Sequence, residues 1–396
     1  MSIQTKIYTE IFKNSFEIPM KIVYWNGEVL NLGESEPEII FKLNEPLDIK
    51  SVYQDASIAL AEAYMDKKIE IDGSIKDLMI DAFKHESSFM ENSKFKILSK
   101  SQNLFSKDNA ENIQFHYDIG NDFYEYWLDD SMNYSCAYFK EKSDSLEEAQ
   151  KNKINHCLKK LRLREGEELF DIGCGWGNLI MTAAKEFGVK ATGCTLSKEQ
   201  YLFVQEKIKE ERLEDRVDII LMDYSEAVNQ NLKFDKIVSI GMLEHVGKAN
   251  IHTYFNCVNN LLKDDGLALI HSISGQRDID DETKGYNGFL NKYIFPGGYI
   301  PSIAEIVIPI NKEKMHIIDL ESLRYHYKLT LDEWYRRFSN SLDKIKLNYD
   351  ERFIRMWSLY LLGCSAIFEA GKLDVCQYLI EKGTDNNRPL TRSYML

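Results

Sequence analysis

The stretch at residues 169–177, L-F-D-I-G-C-G-W-G, decides the fold. An apolar run contains Asp171, and three alternate glycines follow at Gly173, Gly175 and Gly177 before an apolar helical pattern begins. A strand, a glycine turn and a helix in this order open a nucleotide-binding α/β sheet. The G-x-G-x-G spacing, with an acid just before it, favours S-adenosylmethionine over a dinucleotide. A tight strand-to-helix turn without a ligand is the alternative.

Strand and helix patterns alternate regularly around this turn. Strands are predicted at 168–172, 190–194, 217–221, 236–240 and 267–271, and helices at 145–161, 178–187 and 198–211. This alternation predicts an α/β fold with a Rossmann-like, doubly wound parallel sheet.

Ligands of such sheets bind beyond the carboxyl ends of the strands. The residues that follow the predicted strands, beyond the glycine turn, are Thr195, Leu196, Ser197, Gln200, Asp223, Tyr224, Glu244 and His271. Each has a structural alternative, such as a helix cap for Asp223 or a structural pair for Glu244 and His271, but their convergence on one edge favours a binding site. No acid follows the second strand to bind ribose hydroxyls, so Thr195, Ser197 and Gln200 must supply that hydrogen bonding.

Composition and net charge exclude several classes of function. The net charge of −14 over 396 residues argues against a general nucleic-acid binder and against global attraction to an anionic membrane. Seven cysteines without a C-x-x-C pair indicate reduced thiols in the cytoplasm, and no metal site is predicted. The N-terminus lacks an apolar signal segment, and the apolar run 356–368 is too short to cross a bilayer.

The sequence predicts two domains joined by a linker. Residues 1–92 predict a small α+β domain, with a hairpin over 21–32, a strand over 38–43 and helices over 57–65 and 74–83. Residues 93–110 predict a basic linker, which carries Lys94, Lys96, Lys100 and Lys107. It either only joins the domains or touches lipid headgroups. Residues 111–396 predict the catalytic domain, with a lid insertion over 275–308.

Aromatic residues crowd two parts of the predicted catalytic domain. Residues 114–139 are rich in aromatic rings, which form either a buried plug or faces for a sulfonium cation. Residues 320–338 predict an amphipathic helix that carries Tyr327, and residues 353–382 predict a pair of apolar helices that carry Cys364.

Several segments together resemble the cyclopropane-fatty-acyl-phospholipid synthase family. They are H-Y-D-I-G-N-D-F-Y (116–124), Y-S-C-A-Y-F (134–139), D-I-G-C-G-W-G (171–177), T-L-S-K-E-Q (195–200), G-M-L-E-H-V-G (241–247), Y-I-F-P-G-G (293–298) and H-Y-K-L-T-L (326–331). The resemblance covers roughly residues 110–385, and A-L-A-E-A-Y-M-D (59–66) resembles the family's N-terminal domain more weakly.

The resemblance implies a reaction and its residues. S-adenosylmethionine would give its methyl carbon to a cis double bond of an unsaturated phospholipid acyl chain, and a cyclopropane ring would close. The residues implied for the cofactor are Tyr134, Ser135, Gly173, Thr195, Gln200 and Tyr224. Those implied around a bicarbonate that acts as base are Cys136, Glu244, His271, Ile273 and Tyr327. Cys364 matches the family's C-terminal active-site cysteine.

Rival functions stay open at this point. One is an S-adenosylmethionine-dependent methyltransferase that makes methyl-branched acyl chains or methylates a small molecule. Another is a non-enzymatic lipid- or adenosine-binding module, against which Glu244, His271 and Tyr327 argue. The enzyme is expected in the cytoplasm, in peripheral and transient contact with the inner membrane face. The oligomeric state is open, with a homodimer as one option.

Overall fold

The computed structural model describes residues 3–85, 120–275 and 288–395. The chain divides into two compact units. The first combines Met1–Lys107, Tyr286–Pro296 and Leu331–Lys372, and the second combines Asp108–Gly285, Gly297–Thr330 and Leu373–Leu396.

The first unit is built on a mixed sheet with the strand order β2-β1-β3-β4. Its strands are β1 (Met20–Val23), β2 (Val29–Leu32), β3 (Ile39–Leu43) and β4 (Ile69–Asp72). The predicted hairpin is confirmed, because β1 pairs antiparallel with β2 and Gly27 takes φ +82° in the turn. The helices of this unit are Ile3–Ser15, Ile49–Gln54, Ala56–Met65, Ile75–Lys84, Gly288–Tyr293, Leu342–Ile345 and Glu351–Glu369.

The second unit is built on a larger sheet with the order β10-β11-β9-β8-β5-β6-β7 in the described residues. Its strands are β5 (Glu168–Ile172), β6 (Lys190–Thr195), β7 (Val217–Leu221), β8 (Phe234–Ile240), β9 (Leu262–Gly275), β10 (His316–Ser322) and β11 (Leu373–Glu381). Strands β5 to β9 pair in parallel, whereas β11 runs antiparallel to both of its neighbours. The prediction of a Rossmann-like sheet with a smaller N-terminal α+β part is confirmed.

Helices connect the strands of the second unit. They are Asn121–Glu125, Leu146–Lys160, Asn178–Phe187, Lys198–Glu210, Tyr224–Asn229, Ile251–Leu261 and Ile303–Lys312, with short 3₁₀ turns at Leu243–His245, Lys248–Asn250 and Arg392–Met395. Helix Leu146–Lys160 begins with the predicted capping box of Ser145 and Glu148. Helix Arg324–Asn340 begins in the second unit and ends in the first.

One predicted helix is wrong. The sequence over 353–382 predicts two apolar helices, but only Glu351–Glu369 is helical, and β11 follows it. Strand β11 is buried along most of its length, on both faces of the sheet, and lies between β9 and β10. A fully buried strand is a continuous apolar run, and periodicity does not separate it from a buried helix. Gly371, at φ +74°, makes the turn between the two elements.

The compact units also differ from the predicted linear division. The prediction assigned everything from residue 111 onward to one catalytic domain, whereas Leu331–Lys372 belongs to the first unit. Helix Glu351–Glu369 packs there on helices Ile75–Lys84 and Ala56–Met65. The predicted boundary and linker over 93–110 lie outside the described residues, as does part of the predicted lid.

Candidate active site

The glycine turn after β5 shapes a cavity in the second unit. Gly175 lines this cavity at φ +56°, and a Cβ added to it would meet no heavy atom within 4 Å. A Cβ added to Gly177, at φ +79°, would lie 2.8 Å from the Val204 side chain. Glycine adopts such left-handed conformations readily. Gly175 therefore keeps the cavity clear, and Gly177 allows helix Lys198–Glu210 to pack closely through Val204.

Most residues predicted to hold the cofactor line this one cavity. They are Tyr134, Ser135, Asp171, Gly173, Gly175, Gly177, Thr195, Leu196, Gln200, Asp223 and Tyr224. Ser197 is not among the lining residues. Its hydroxyl accepts a hydrogen bond from the Gln200 N–H at 3.3 Å and caps helix Lys198–Glu210. Ser197 thus positions Gln200 instead of facing the cavity.

Internal hydrogen bonds fix several lining side chains. The Thr195 hydroxyl donates to Gln200 Oε1 at 2.8 Å. Asp223 Oδ1 accepts from the Ser225 N–H at 2.9 Å and so caps helix Tyr224–Asn229. Asp223 therefore has the structural role considered from the sequence and also lines the cavity.

An aromatic cluster forms one wall of the cavity. Tyr134 and Trp176 line it, and their rings lie 5.5 and 5.7 Å from the ring of the fully buried Tyr124. Trp127 packs edge-on against Tyr134 at 5.3 Å. The aromatic stretch over 114–139 thus supplies both buried rings and a face of the cavity. Its first residues, 114–119, lie outside the described part of the chain. Such faces attract cations and exclude water.

Two buried ionisable groups line the same cavity. Burial raises the pKa of Asp171 to about 7, against the opposing effect of the nearby Lys153 ammonium. Burial also lowers the pKa of Lys153, whose Nζ donates to Ser135 Oγ at 3.0 Å. Lys153 was not identified from the sequence. The sequence feature that could have identified it as buried is its position, four residues from each of Ala149 and Cys157 on the apolar face of helix Leu146–Lys160.

Glu244 is held by β9 in an unusual way. Strand β9 was predicted to end at His271 but continues to Gly275, whereas its partner β8 ends opposite His271. The Ile273 N–H therefore faces no strand on that side and donates to Glu244 Oε1 at 2.6 Å. The other oxygen, Oε2, is buried and has no hydrogen-bond partner among the described residues. Burial raises the pKa of Glu244 to about 7.

His271 is buried within the sheet as a neutral imidazole. Burial lowers its pKa to about 3. The Gln377 amide nitrogen lies 3.2 Å from His271 Nδ1 across the β9–β11 pair. Because an amide nitrogen only donates, Nδ1 accepts, and the ring proton is assigned to Nε2. His271 can therefore donate a hydrogen bond from Nε2 at neutral pH.

Cys136 and Tyr327 meet at one backbone carbonyl. The Leu323 carbonyl accepts from the Tyr327 N–H at 3.0 Å and from the Cys136 thiol at 3.8 Å. The Leu323 N–H in turn donates to the carbonyl of Val375, which pairs with Ile273. This chain of contacts links Cys136 and Tyr327 to the β9 segment that holds Glu244. Burial raises the pKa of the Cys136 thiol well above its usual value, which keeps it protonated.

The helix that carries Tyr327 also holds the Y-S-C-A-Y-F segment, a contact that sequence reasoning missed. The Ala137 N–H donates to Thr330 Oγ1, and the Phe139 N–H donates to His326 Nδ1, both at 3.0 Å. His326 and Thr330 are four residues apart and so share a helix face. The matching H-Y-K-L-T-L segment is the signal that could have identified them.

Cys364 belongs to the first unit and lies on helix Glu351–Glu369. Burial raises the pKa of its thiol to about 12. A thiol with such a pKa is protonated at neutral pH and is a poor nucleophile.

Residues 105–378 match the protein-family model described as mycolic acid cyclopropane synthetase. The chain belongs to this family. The resemblance recognised in the sequence is thereby confirmed. Residues 7–94 match a second model, described as a domain of unknown function.

Similar proteins cover nearly the whole chain. A probable fatty acid methyltransferase of Pseudomonas putida is 36% identical over 93% of each chain. The cyclopropane-fatty-acyl-phospholipid synthase of Escherichia coli K12 is 34% identical over 96% of each chain. Among solved structures, mycolic acid cyclopropane synthase CmaA1, complexed with SAH and CTAB, is 34% identical with a TM-score of 0.64, over 70% of this chain and 99% of that one.

These findings establish the enzyme class. The chain is an S-adenosylmethionine-dependent methyltransferase of the mycolic acid cyclopropane synthetase family. None of the helices that the structure describes is long and apolar enough to cross a membrane. The described residues also hold no cluster of three or more His, Cys, Asp or Glu side chains suited to a metal ion.

Proposed function

We propose that this enzyme adds the methyl carbon of S-adenosylmethionine to a cis double bond of an unsaturated phospholipid acyl chain and closes a cyclopropane ring, with bicarbonate as the base. The observation that carries the proposal is the Glu244 carboxylate, fixed by Ile273 through one oxygen and left with a buried, unpartnered second oxygen. A buried acceptor without a donor costs about 1–3 kcal/mol. A small oxyacid with its own hydroxyl would donate to that oxygen.

The cavity fits S-adenosylmethionine. Gly175 leaves room for close approach, Tyr134 and Trp176 offer ring faces to a sulfonium, and Asp171 is a buried acid that would attract the α-ammonium of the methionyl group. When bound, S-adenosylmethionine supplies an electrophilic methyl group on sulfur. The chain's own contribution is to orient that methyl toward the alkene, because an alkene is a poor nucleophile and good alignment greatly accelerates such a step.

Ring closure needs a proton acceptor and a site from which water is excluded. Methyl transfer from bound S-adenosylmethionine would release the cofactor as its neutral thioether and would leave positive charge on the other alkene carbon. The aromatic wall excludes water and stabilises that charge. When bound, bicarbonate supplies the base that removes a proton from the added carbon as the ring closes. His271 Nε2 and the Tyr327 hydroxyl would donate to this anion, and Glu244 would accept from its hydroxyl.

Relatives support a lipid substrate. The similar Escherichia coli protein is named for phospholipid acyl chains, and CmaA1 was crystallised with CTAB, a long-chain quaternary ammonium that resembles an alkyl chain bearing a cation. We further propose that the enzyme works in the cytoplasm and contacts the inner membrane face transiently. A homodimer remains a prediction.

A second candidate is the addition of a methyl branch to an acyl chain. The Pseudomonas putida relative, named a probable fatty acid methyltransferase, favours it. The two reactions share methyl transfer and differ in which proton leaves afterwards. A base held close to the added methyl gives a ring, whereas proton loss from a neighbouring chain carbon gives a branched alkene.

The bicarbonate role is tested by turnover in degassed buffer with carbonate removed and then restored. We expect activity to fall on depletion and to recover on addition. Glu244→Gln should lower turnover by about 10²-fold with little change in affinity for S-adenosylhomocysteine. Glu206→Gln, which removes an exposed acid from helix Lys198–Glu210, is the matched control. Wild-type turnover that is indifferent to carbonate would remove the anion and favour a side-chain base.

A further inference from the structure

Lys153 is a buried cation that the mechanism above does not use. It projects from helix Leu146–Lys160 into the cofactor cavity, and only 3% of its surface is exposed. Its Nζ donates to Ser135 Oγ at 3.0 Å. An ammonium carries three donors, so this bond leaves two of them for another partner.

The charge of Lys153 has no partner within the described chain. No described carboxylate oxygen lies within the 4.0 Å ion-pair distance of its Nζ. Lys160, two turns later on the same helix and equally buried, pairs with both Asp319 and Glu321. Burying a charge is costly unless it is paired, so Lys160 follows the rule and Lys153 departs from it.

None of the described ionisable groups near Lys153 forms an ion pair with it. Asp129 is one of the two carboxylates whose charge acts on Lys153. Its two oxygens accept from the Asn133 N–H at 2.8 Å and from the Ser131 N–H and the Asn133 amide. Cys136 and Cys157 are buried thiols that stay protonated. Asp171 lines the same cavity as Lys153 but is beyond ion-pair distance. An anion that enters the cavity would therefore be the direct partner of Lys153.

We propose that Lys153 binds the α-carboxylate of S-adenosylmethionine. The methionyl end of this cofactor carries an α-ammonium and an α-carboxylate on the same carbon. The cavity presents one buried acid, Asp171, and one buried amine, Lys153, beside the glycine turn. This pair of opposite charges matches an amino-acid zwitterion. The inference rests on the cofactor assignment and is independent of the acyl substrate and of bicarbonate.

The test compares two ligands on the wild type and three variants. Binding of S-adenosylhomocysteine and of its decarboxylated analogue, 5′-deoxy-5′-(3-aminopropylthio)adenosine, is measured by calorimetry. Lys153→Met should weaken S-adenosylhomocysteine by about 10²-fold and the analogue by far less, because only the first ligand has the carboxylate. Lys151→Met removes an exposed lysine from the same helix and should leave both affinities unchanged. Lys153→Arg should retain part of the preference for the carboxylate.

Folding is followed in the same samples. Removing a buried unpaired charge should leave the melting temperature of the ligand-free variant unchanged or higher, while the stabilisation by S-adenosylhomocysteine is lost. Equal weakening of both ligands, or no weakening of either, would overturn the role of Lys153 while the cofactor assignment stands. A wild type that binds neither ligand would overturn the cofactor assignment as well.

Discussion

At the scale of single residues, Asp171 should make cofactor binding depend on pH. Burial raises its pKa to about 7, so the side chain is neutral below that pH and loses its attraction for the α-ammonium. Affinity for S-adenosylhomocysteine should be constant above about pH 7 and should fall toward tenfold per pH unit below it. Calorimetry across this range measures the effect.

Asp171→Asn provides the control for this titration. The variant should bind S-adenosylhomocysteine more weakly at high pH and should show no break near pH 7. A wild type whose affinity stays flat from about pH 6 to about pH 8 would contradict the assignment. The raised pKa also has a cost for folding. Because the usual value is 3.8, the free energy of unfolding should decrease as the pH rises from there toward about 7.

Residue types near the glycine turn could be predicted because backbone geometry restricts them. Gly173, Gly175 and Gly177 all take positive φ values, which few other residues tolerate. Lys153 could not be predicted in this way, since a lysine inside a helix usually faces solvent. Ser197 lines no part of the cavity although it follows β6, because its hydroxyl is used by the cap.

At the scale of elements, the helix that begins at Arg324 should hold the Y-S-C-A-Y-F segment through Thr330. Thr330 is fully buried, and its hydroxyl donates to the His326 carbonyl while it accepts from the Ala137 N–H. Thr330→Val leaves that N–H unsatisfied and should lower the free energy of unfolding by about 1–3 kcal/mol. Urea denaturation measures the loss.

Two further variants separate this hydrogen bond from general effects of substitution. Thr330→Ser keeps the hydroxyl and should recover most of the lost free energy of unfolding. Thr182→Val replaces a threonine on helix Asn178–Phe187 whose hydroxyl makes only a 3.5 Å contact, and it should be nearly neutral. If Thr330→Val is as stable as the wild type, the hydroxyl does not anchor the segment.

Helices and strands could be predicted where the apolar pattern agrees with the capping or turn residues at the element's end. Helix Leu146–Lys160 begins at a capping box, and β5 ends at glycines, so both were identified. The sequence of β11 predicts a helix, because burial on both faces removes the alternation of apolar and polar residues. The extension of β9 beyond His271 pairs with β11, and the Ile273 N–H can reach Glu244 because β8 ends opposite His271. Both are tertiary effects.

At the scale of the whole molecule, an enzyme with a net charge of −14 needs a local cationic segment to reach an anionic bilayer. We predict that Lys94, Lys96, Lys100 and Lys107, which lie outside the described residues, supply it. Replacing all four with Glu should weaken binding to anionic vesicles and lower activity on them. Affinity for S-adenosylhomocysteine should not change.

Salt provides a second readout for this segment. Added salt should weaken wild-type vesicle binding more than it weakens binding of the quadruple variant, because screening acts on the removed attraction. Vesicle co-sedimentation that is the same for both proteins would assign the segment to a linker role alone.

The division of the molecule was the least predictable feature. Sequence patterns identify neighbouring elements along the chain, but the first unit recruits Leu331–Lys372 from far beyond its own N-terminal strands. The apolar face of helix Glu351–Glu369 could pack against any other apolar surface, and the sequence does not say which. Family membership was predictable because several motif segments, among them Y-S-C-A-Y-F and D-I-G-C-G-W-G, supply residues that line the cavity.

The most direct test of the account is product analysis. The enzyme is incubated with S-adenosylmethionine and unsaturated phospholipid vesicles, and the released acyl chains are examined by mass spectrometry and by proton NMR. We predict acyl chains heavier by one CH₂ group, with cyclopropane ring protons and with loss of the alkene signals. The same mass gain with alkene signals retained and a new methyl signal would contradict cyclopropanation and assign the enzyme to methyl branching.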